Sequence, residues 1–296
     1  MRVELCLLEL GELPVEAGGG GLAAASAGGG WDRSQHRISV YLLRRLETRS
    51  VSRLFPVIGR VALNREGDSG SRWAPMDLTL RLHSVGRPGA DGPAGPLLVV
   101  LDGPDYARRA SLLRLLRRLV EADRVPPHRV ALVHADNRFE TYSASLPFAR
   151  ALTAALDELT GRGRGRRVGL GSSLGGLALL HAHRLEPRAF SGLFLQSGSF
   201  FRRGTDPQER HFPHFSRIDR FVGTVLNAKD RARPVPTTLT CALDEENYAC
   251  NAAVAQALAH QGYAVNFHAA RGGHDWSTWR PALESHLAPL LRRVWR

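Results

Sequence analysis

The sequence predicts an α/β protein: a mostly parallel central sheet with helices on both faces. From residue 96 onward, short apolar runs alternate repeatedly with longer segments of helical periodicity. The apolar runs are continuous, as LLVVL at 97–101 is, which is the pattern of a strand buried on both faces. Clusters of Gly, Pro, Asp and Asn separate the runs from the helical segments.

Taken in order, residues 1–30 read as a flexible N-terminal segment. Its end, GGGGLAAASAGGG at 18–30, loses too much backbone entropy on ordering to pack and has the composition of a linker. Residues 31–296 form the α/β domain. Within it, 31–95 supply early strands that join the sheet, over Leu54–Leu63 and Met76–His83. The run at 97–101 is followed by one predicted helix, Tyr106–Asp123, with leucines at 112, 113, 115, 116 and 119 and arginines on its solvated face. Strand–helix pairs then repeat: Arg129–His134 with Pro147–Leu159, Arg167–Gly171 with Leu174–Arg184, and Phe190–Gln196 with Arg217–Asn227. Thr237–Leu243 with Tyr248–Gln261 and Ala264–Ala270 with Trp279–Arg293 complete the set.

Composition narrows the function classes. Hydrophobic content of 43% and charged content of 23% are those of a folded globular chain. No run of about 18 apolar residues occurs, so no membrane partner is expected. Glu4, Glu9 and Glu12 interrupt the N-terminal apolar run and make it a poor secretory signal, so the expected location is cytoplasmic. Three cysteines, Cys6, Cys241 and Cys250, with no C-x-x-C pair support neither a disulfide framework nor a zinc ribbon. The net charge is +12, and Lys229 is the only lysine among the basic residues. No nucleic-acid motif accompanies that charge, so no nucleic-acid partner is expected, although a positive surface favours an anionic small molecule.

Gly171-Ser-Ser-Leu-Gly175 carries a G-x-S-x-G pattern centred on Ser173. The pattern lies between a strand and a helix, which is the context a nucleophile elbow requires: a tight turn that exposes the hydroxyl at the sheet edge. Ser172 does not fit, because Leu170 stands where the first glycine would be. The following helix N-terminus supplies positive potential where an oxyanion develops. In the α/β-hydrolase fold such a serine is followed along the chain by an acid and then a histidine. His274, in Arg271-Gly-Gly-His-Asp-Trp276 after the last strand, stands where that base belongs. The acid is expected after the preceding strand, where Asp244, Glu245 and Glu246 follow Leu243. Any of the three can orient the imidazole, and carboxylates there also suit the start of the next helix. Asp275 is a poor choice, because adjacent side chains rarely converge. His211 and His214 form at most half a metal site, so neither metal nor cofactor is expected.

Four ordered segments together carry a resemblance: Val100-Leu-Asp-Gly-Pro-Asp-Tyr106, Gly171–Gly176 with Gln196–Phe200, Cys241–Asn247 with Asn251, and Gly272–Arg280. Residues 96–296 thereby resemble the esterase family of α/β-hydrolases that includes enterochelin (ferric siderophore) esterases. The resemblance implies a serine esterase acting through an acyl-enzyme on a small-molecule ester, with a siderophore-type ester as the narrow case. It singles out Glu245 as the acid. It also implies an oxyanion hole with the Leu174 amide as one donor. The second donor is expected from the loop after Gly103, but Pro104 has no N–H, which leaves Asp105 or Gly103. An acyltransferase with the same triad, or a binding protein that keeps the fold without catalysis, are the alternatives. Arg138 and Glu140 fall in a loop at the carboxyl edge of the sheet, where they shape the site. The segment Phe200–Phe215 is expected to form a lid or a substrate wall.

Overall fold

The structure is a computed structural model. It describes residues 24–26, 37–43, 57–64, 78–86, 95–160, 166–229 and 233–296, with side chains in the last four ranges. Ten strands form one sheet: β1 (Ala24–Ser26), β2 (Arg37–Leu43), β3 (Val57–Asn64), β4 (Leu78–Val85), β5 (Leu97–Leu101), β6 (His128–Ala135), β7 (Arg167–Ser172), β8 (Gly192–Gln196), β9 (Thr237–Ala242) and β10 (Val265–Ala270), in the order β1-β2-β3-β4-β6-β5-β7-β8-β9-β10. From β6 to β10 every neighbouring pair is parallel, and β1 to β4 add an antiparallel flank. Strand β1 lies within the Gly-rich stretch read as linker; the rest of residues 1–30 and the expected boundary at 30/31 lie outside the described residues.

The continuous apolar runs have their predicted cause. In β5, Leu97, Val99 and Leu101 face one core, and Leu98 and Val100 face the other. The first core is covered by helices α4 (Leu146–Thr160), α5 (Leu174–Leu185), α6 (Phe215–Asn227) and α7 (Tyr248–His260). The second is covered by α1 (Gly103–Arg109), α2 (Leu112–Glu121) and the C-terminal helix α9 (Ala288–Trp295). Fully burying each leucine or valine contributes about 1.5–3 kcal/mol, so the two cores rather than helix propensity hold the layers.

Three predicted elements differ in detail. The single helix expected over Tyr106–Asp123 is two helices, because Ser111 takes a left-handed φ of 50° between them. A short helix, α3 (Arg138–Tyr142), with Asn137 capping it through the Glu140 amide, replaces the loop expected there. The closing helix is divided into α8 (Trp276–Ala282), a π-turn at Leu283–Leu287, and α9. Pro281 lies inside α8 and Pro289 in the first turn of α9; each lacks the N–H that an unbroken helix would use. Because the strands from β5 onward run parallel, Asp102, Asp136, Ser173, Ser197, Leu243 and Arg271 all leave the sheet along one edge.

Candidate active site

Ser173 closes β7 and opens α5 with φ 55° and ψ −123°, outside the regions an L-residue ordinarily occupies. Two bonds hold it there: its amide donates to the Gln196 carbonyl at 2.8 Å, and its carbonyl accepts from the Ser199 amide at 3.1 Å. The glycines explain the pattern. A Cβ on Gly171 would lie 2.6 Å from the Gly175 carbonyl carbon, so this turn cannot close with any larger residue. Ser173 Oγ lies 3.1 Å from Ser199 Oγ, with which it forms a hydrogen bond. The Leu174 amide is the first of α5 and has no intrahelical acceptor.

His274 follows the loop out of β10. Gly272 has φ 138°, and a Cβ there would meet Thr278 Oγ1 at 2.2 Å. Thr278 Oγ1 accepts from the Gly273 amide at 3.1 Å, and Asp275 caps α8 by accepting from the Ser277 amide at 2.7 Å. The imidazole is thereby turned toward Glu245, whose Oε2 lies 2.7 Å from Nδ1. An ionised carboxylate only accepts, so Nδ1 carries the proton and Nε2 is left as the basic atom. The Trp279 ring stands edge-on to the imidazole at 5.1 Å.

The Glu245 side chain is 2% exposed and His274 is 42% exposed, so the carboxylate is buried behind a wet imidazole. Glu245 Oε1 accepts from Ser197 Oγ at 2.6 Å and from the Ala242 amide at 2.9 Å. Burial alone would raise the carboxyl pKa. The hydrogen bonds from His274, Ser197 and Ala242 outweigh it and hold the group below the usual carboxylate range. Ser197 itself accepts from Trp279 Nε1 at 2.9 Å. Gln196 Nε2 donates to the Trp279 carbonyl, and Tyr106 OH donates to Gln196 Oε1. Asn251 pins Gly198 through both its N–H and its C=O. Ser197 and Ser199 have no sequence signal of their own beyond the Gln196-Ser-Gly-Ser-Phe200 segment at the end of a strand.

Asp244 and Glu246, the other candidate acids, are exposed and make no bond to His274 among the described residues. The oxyanion donor expected at Asp105 is corrected. Its amide is spent on the Asp102 carbonyl at 3.0 Å, as is the Tyr106 amide at 3.1 Å, and its carboxylate pairs with Arg108 and Arg109 outside the pocket. Two donors remain nearby. Gly103 opens α1 and has no intrahelical acceptor. Arg138 lines the pocket with its Nε held between both Asp102 oxygens at 3.0 Å. Asp102 is also raised, chiefly by burial, against the lowering effect of Arg138. Glu140 instead bridges His214 at 2.8 Å and Arg217 at 2.9 Å, so neither it nor His214 faces the pocket. Among the described residues no group of three or more His, Cys, Asp or Glu could hold a metal ion.

Ser173, Leu174, Glu245 and His274 line one open pocket of about 440 Å³. The segment after β8 forms its wall through Phe201, Asp206, Gln208, Glu209 and Phe212. That wall is anchored, since Asp206 accepts from the Arg202 amide and from the Thr205 hydroxyl. The sign of the pocket opposes that of the chain. Asp206, Glu209, Asp244, Glu245 and Glu246 line it against a single arginine, Arg138.

No protein-family model matches the chain. It is 30% identical over 211 residues to the iron(III) enterobactin esterase of Dickeya dadantii (strain 3937), a match covering 66% of this chain and 47% of that protein. Among solved structures, the enterobactin esterase FES of Shigella flexneri, determined in the presence of enterobactin, aligns with TM-score 0.60 at 22% identity. That alignment covers 73% of this chain and 55% of the other. The fluorophosphonate-binding serine hydrolase FphF of Staphylococcus aureus aligns with TM-score 0.53 at 15% identity, covering 79% and 98%. The chain spans about half the length of the two enterobactin esterases.

Proposed function

We propose that this chain, an α/β-hydrolase-fold protein distantly homologous to iron(III) enterobactin esterase, hydrolyses carboxylic esters through an acyl-enzyme on Ser173. The observation that carries the reading is the 2.7 Å contact between His274 Nδ1 and the buried Glu245 carboxylate, which leaves Nε2 basic on the wall Ser173 shares. Among the described residues Ser173 forms no hydrogen bond to His274; its hydroxyl bonds Ser199 and has to turn from it to reach Nε2, and such bonds are commonly loose without substrate. Nε2 then takes the hydroxyl proton as Oγ bonds to the ester carbon. The tetrahedral oxyanion receives the Leu174 amide and the Nη groups of Arg138, which make no hydrogen bond among the described residues and stand in for the N–H that Pro104 lacks. Collapse breaks the bond to the alkoxy oxygen, which leaves as alcohol with the proton from Nε2. Water, deprotonated by the same nitrogen, releases the carboxylic acid and restores Ser173. Glu245 stays ionised throughout and stabilises the imidazolium.

The test uses p-nitrophenyl acetate and butyrate with wild type beside Ser173→Ala. Release of p-nitrophenolate by wild type, and its loss by a factor of about 10⁴ or more in the variant, is expected. Equal rates in both would overturn the reading. The siderophore-ester case rests on the likeness to the Dickeya iron(III) enterobactin esterase, beside the shared fold of the Shigella enterobactin esterase. It is tested by incubating a ferric catecholate trilactone and following its opening by mass spectrometry.

A further inference from the structure

The carboxylate that orients His274 has a neighbour for which the proposed mechanism has no use. Ser197 Oγ donates to Glu245 Oε1 at 2.6 Å and accepts from Trp279 Nε1 at 2.9 Å. Chemistry fixes the direction of both bonds. An indole N–H can only donate, and an ionised carboxylate can only accept. The serine hydroxyl alone does both, so its proton faces Glu245 whenever the carboxylate is charged. Ser197, Trp279 and Glu245 are all buried, where a charge-assisted bond is strong and unscreened by water. The bond also occupies Oε1, which leaves Oε2 as the atom that meets Nδ1 at 2.7 Å.

Two further observations set Ser197 apart from an ordinary buried serine. Its backbone takes a left-handed φ of 46° directly after β8, as Asp102 does after β5 and Ser173 after β7. Three adjacent strands thus leave the sheet through a strained non-glycine residue, and strain of this kind gathers at functional sites. The second observation is a clamp. Gln196 Nε2 donates to the Trp279 carbonyl at 2.9 Å while Ser197 accepts from the indole of the same residue. Trp279 belongs to α8, the helix that follows His274, and its ring stands against the imidazole. One hydroxyl therefore ties both the acid and the helix beyond the base to the end of β8. Resting on the esterase reading, we infer that Ser197 is a positioning residue: its hydroxyl, aimed by Trp279, holds the Glu245 carboxylate where it keeps the His274 proton on Nδ1. Ser197 does not line the pocket, so it acts through Glu245.

Ser197→Ala and Trp279→Phe test this, the second removing the indole N–H while keeping an aromatic ring against His274. Turnover of p-nitrophenyl butyrate is counted per site titrated with a fluorophosphonate, so that misfolded chains do not enter the rate. Ser197→Ala should lower kcat by about 10- to 100-fold with KM within about twofold, the scale of one bond to a charged group. Trp279→Phe should lower kcat by about three- to tenfold, since the serine proton is then free to turn away. The readout that a merely structural role leaves alone is the tautomer of neutral His274, taken from nitrogen–proton correlation spectra of histidine-labelled protein. Wild type should carry the proton on Nδ1, and Ser197→Ala should give a mixture of Nδ1–H and Nε2–H forms. Given turnover by wild type, a kcat within about twofold of wild type in both variants, or an unchanged tautomer in both, overturns the inference and leaves the esterase reading standing. Given no turnover by wild type, the esterase reading fails and the tautomer alone decides. Mixed forms in either variant then support the positioning role, and the wild-type form in both refutes it. If circular dichroism shows Ser197→Ala unfolded, Trp279→Phe decides on the same terms.

Discussion

At the scale of single residues, the site is built so that each reactive group has one remaining function. Nδ1 of His274 is occupied by Glu245, and both Glu245 oxygens are engaged, so the imidazole can act only through Nε2. Glu245→Gln should lower kcat by about 10⁴, because an amide no longer fixes the Nδ1–H tautomer or stabilises the imidazolium; steady-state kinetics check it. The same substitution has a signature in stability. The folded Glu245 carboxyl is held below its ordinary value of 4.5, so the folded state binds its proton less tightly than the unfolded state does. Its stabilisation is present above about pH 4.5 and is lost as pH falls through the lowered value. The difference in urea midpoint between wild type and Glu245→Gln should therefore shrink as pH falls below that range. Arg138→Met should cost about 10²–10³ in kcat with a smaller change in KM, since an oxyanion donor acts mainly in the transition state. Ser173, His274 and the group of three candidate acids were legible in the sequence because fixed chain order and turn chemistry locate them. Ser197 and Ser199 were not, because a serine acquires its partner from the sheet edge opposite rather than from its neighbours in sequence.

At the scale of elements, the strands were legible wherever both faces are buried, since burial on two sides leaves a continuous apolar run. Helix breaks were less so. Nothing in an ordinary serine announces the left-handed backbone of Ser111, whereas Pro281 and Pro289 did stand in the sequence as signals for the division of the last helix. The strand-to-helix turn at Ser173 is the element on which the site depends. Gly171→Ala forces a Cβ to 2.6 Å from backbone that cannot yield as a side chain would. It should cost about 1–3 kcal/mol by urea denaturation and lower activity beyond that loss, since the strained Ser173 conformation goes with it.

At the scale of the whole molecule, net charge was misleading because it is a sum. The +12 of the chain says nothing of a pocket whose acids come from two distant segments, 206–209 and 244–246. The core carries a titration of its own. His181 and His183 are buried on α5, and burial lowers both to about 4 from 6.5. The unfolded chain therefore binds protons that the folded one refuses, so stability is full above about pH 6.5 and falls as pH drops toward 4. Thermal unfolding followed by circular dichroism should give a midpoint that declines across this window, and His183→Leu should flatten the decline. What ties these scales together is the claim that Ser173 is acylated with His274 as its base. The most direct measurement is intact-protein and peptide mass spectrometry after brief exposure to a fluorophosphonate. One adduct per chain is expected, on the peptide containing Ser173, with its loss in both Ser173→Ala and His274→Ala. An unlabelled wild-type chain, or labelling that persists when Ser173 is replaced, would contradict it.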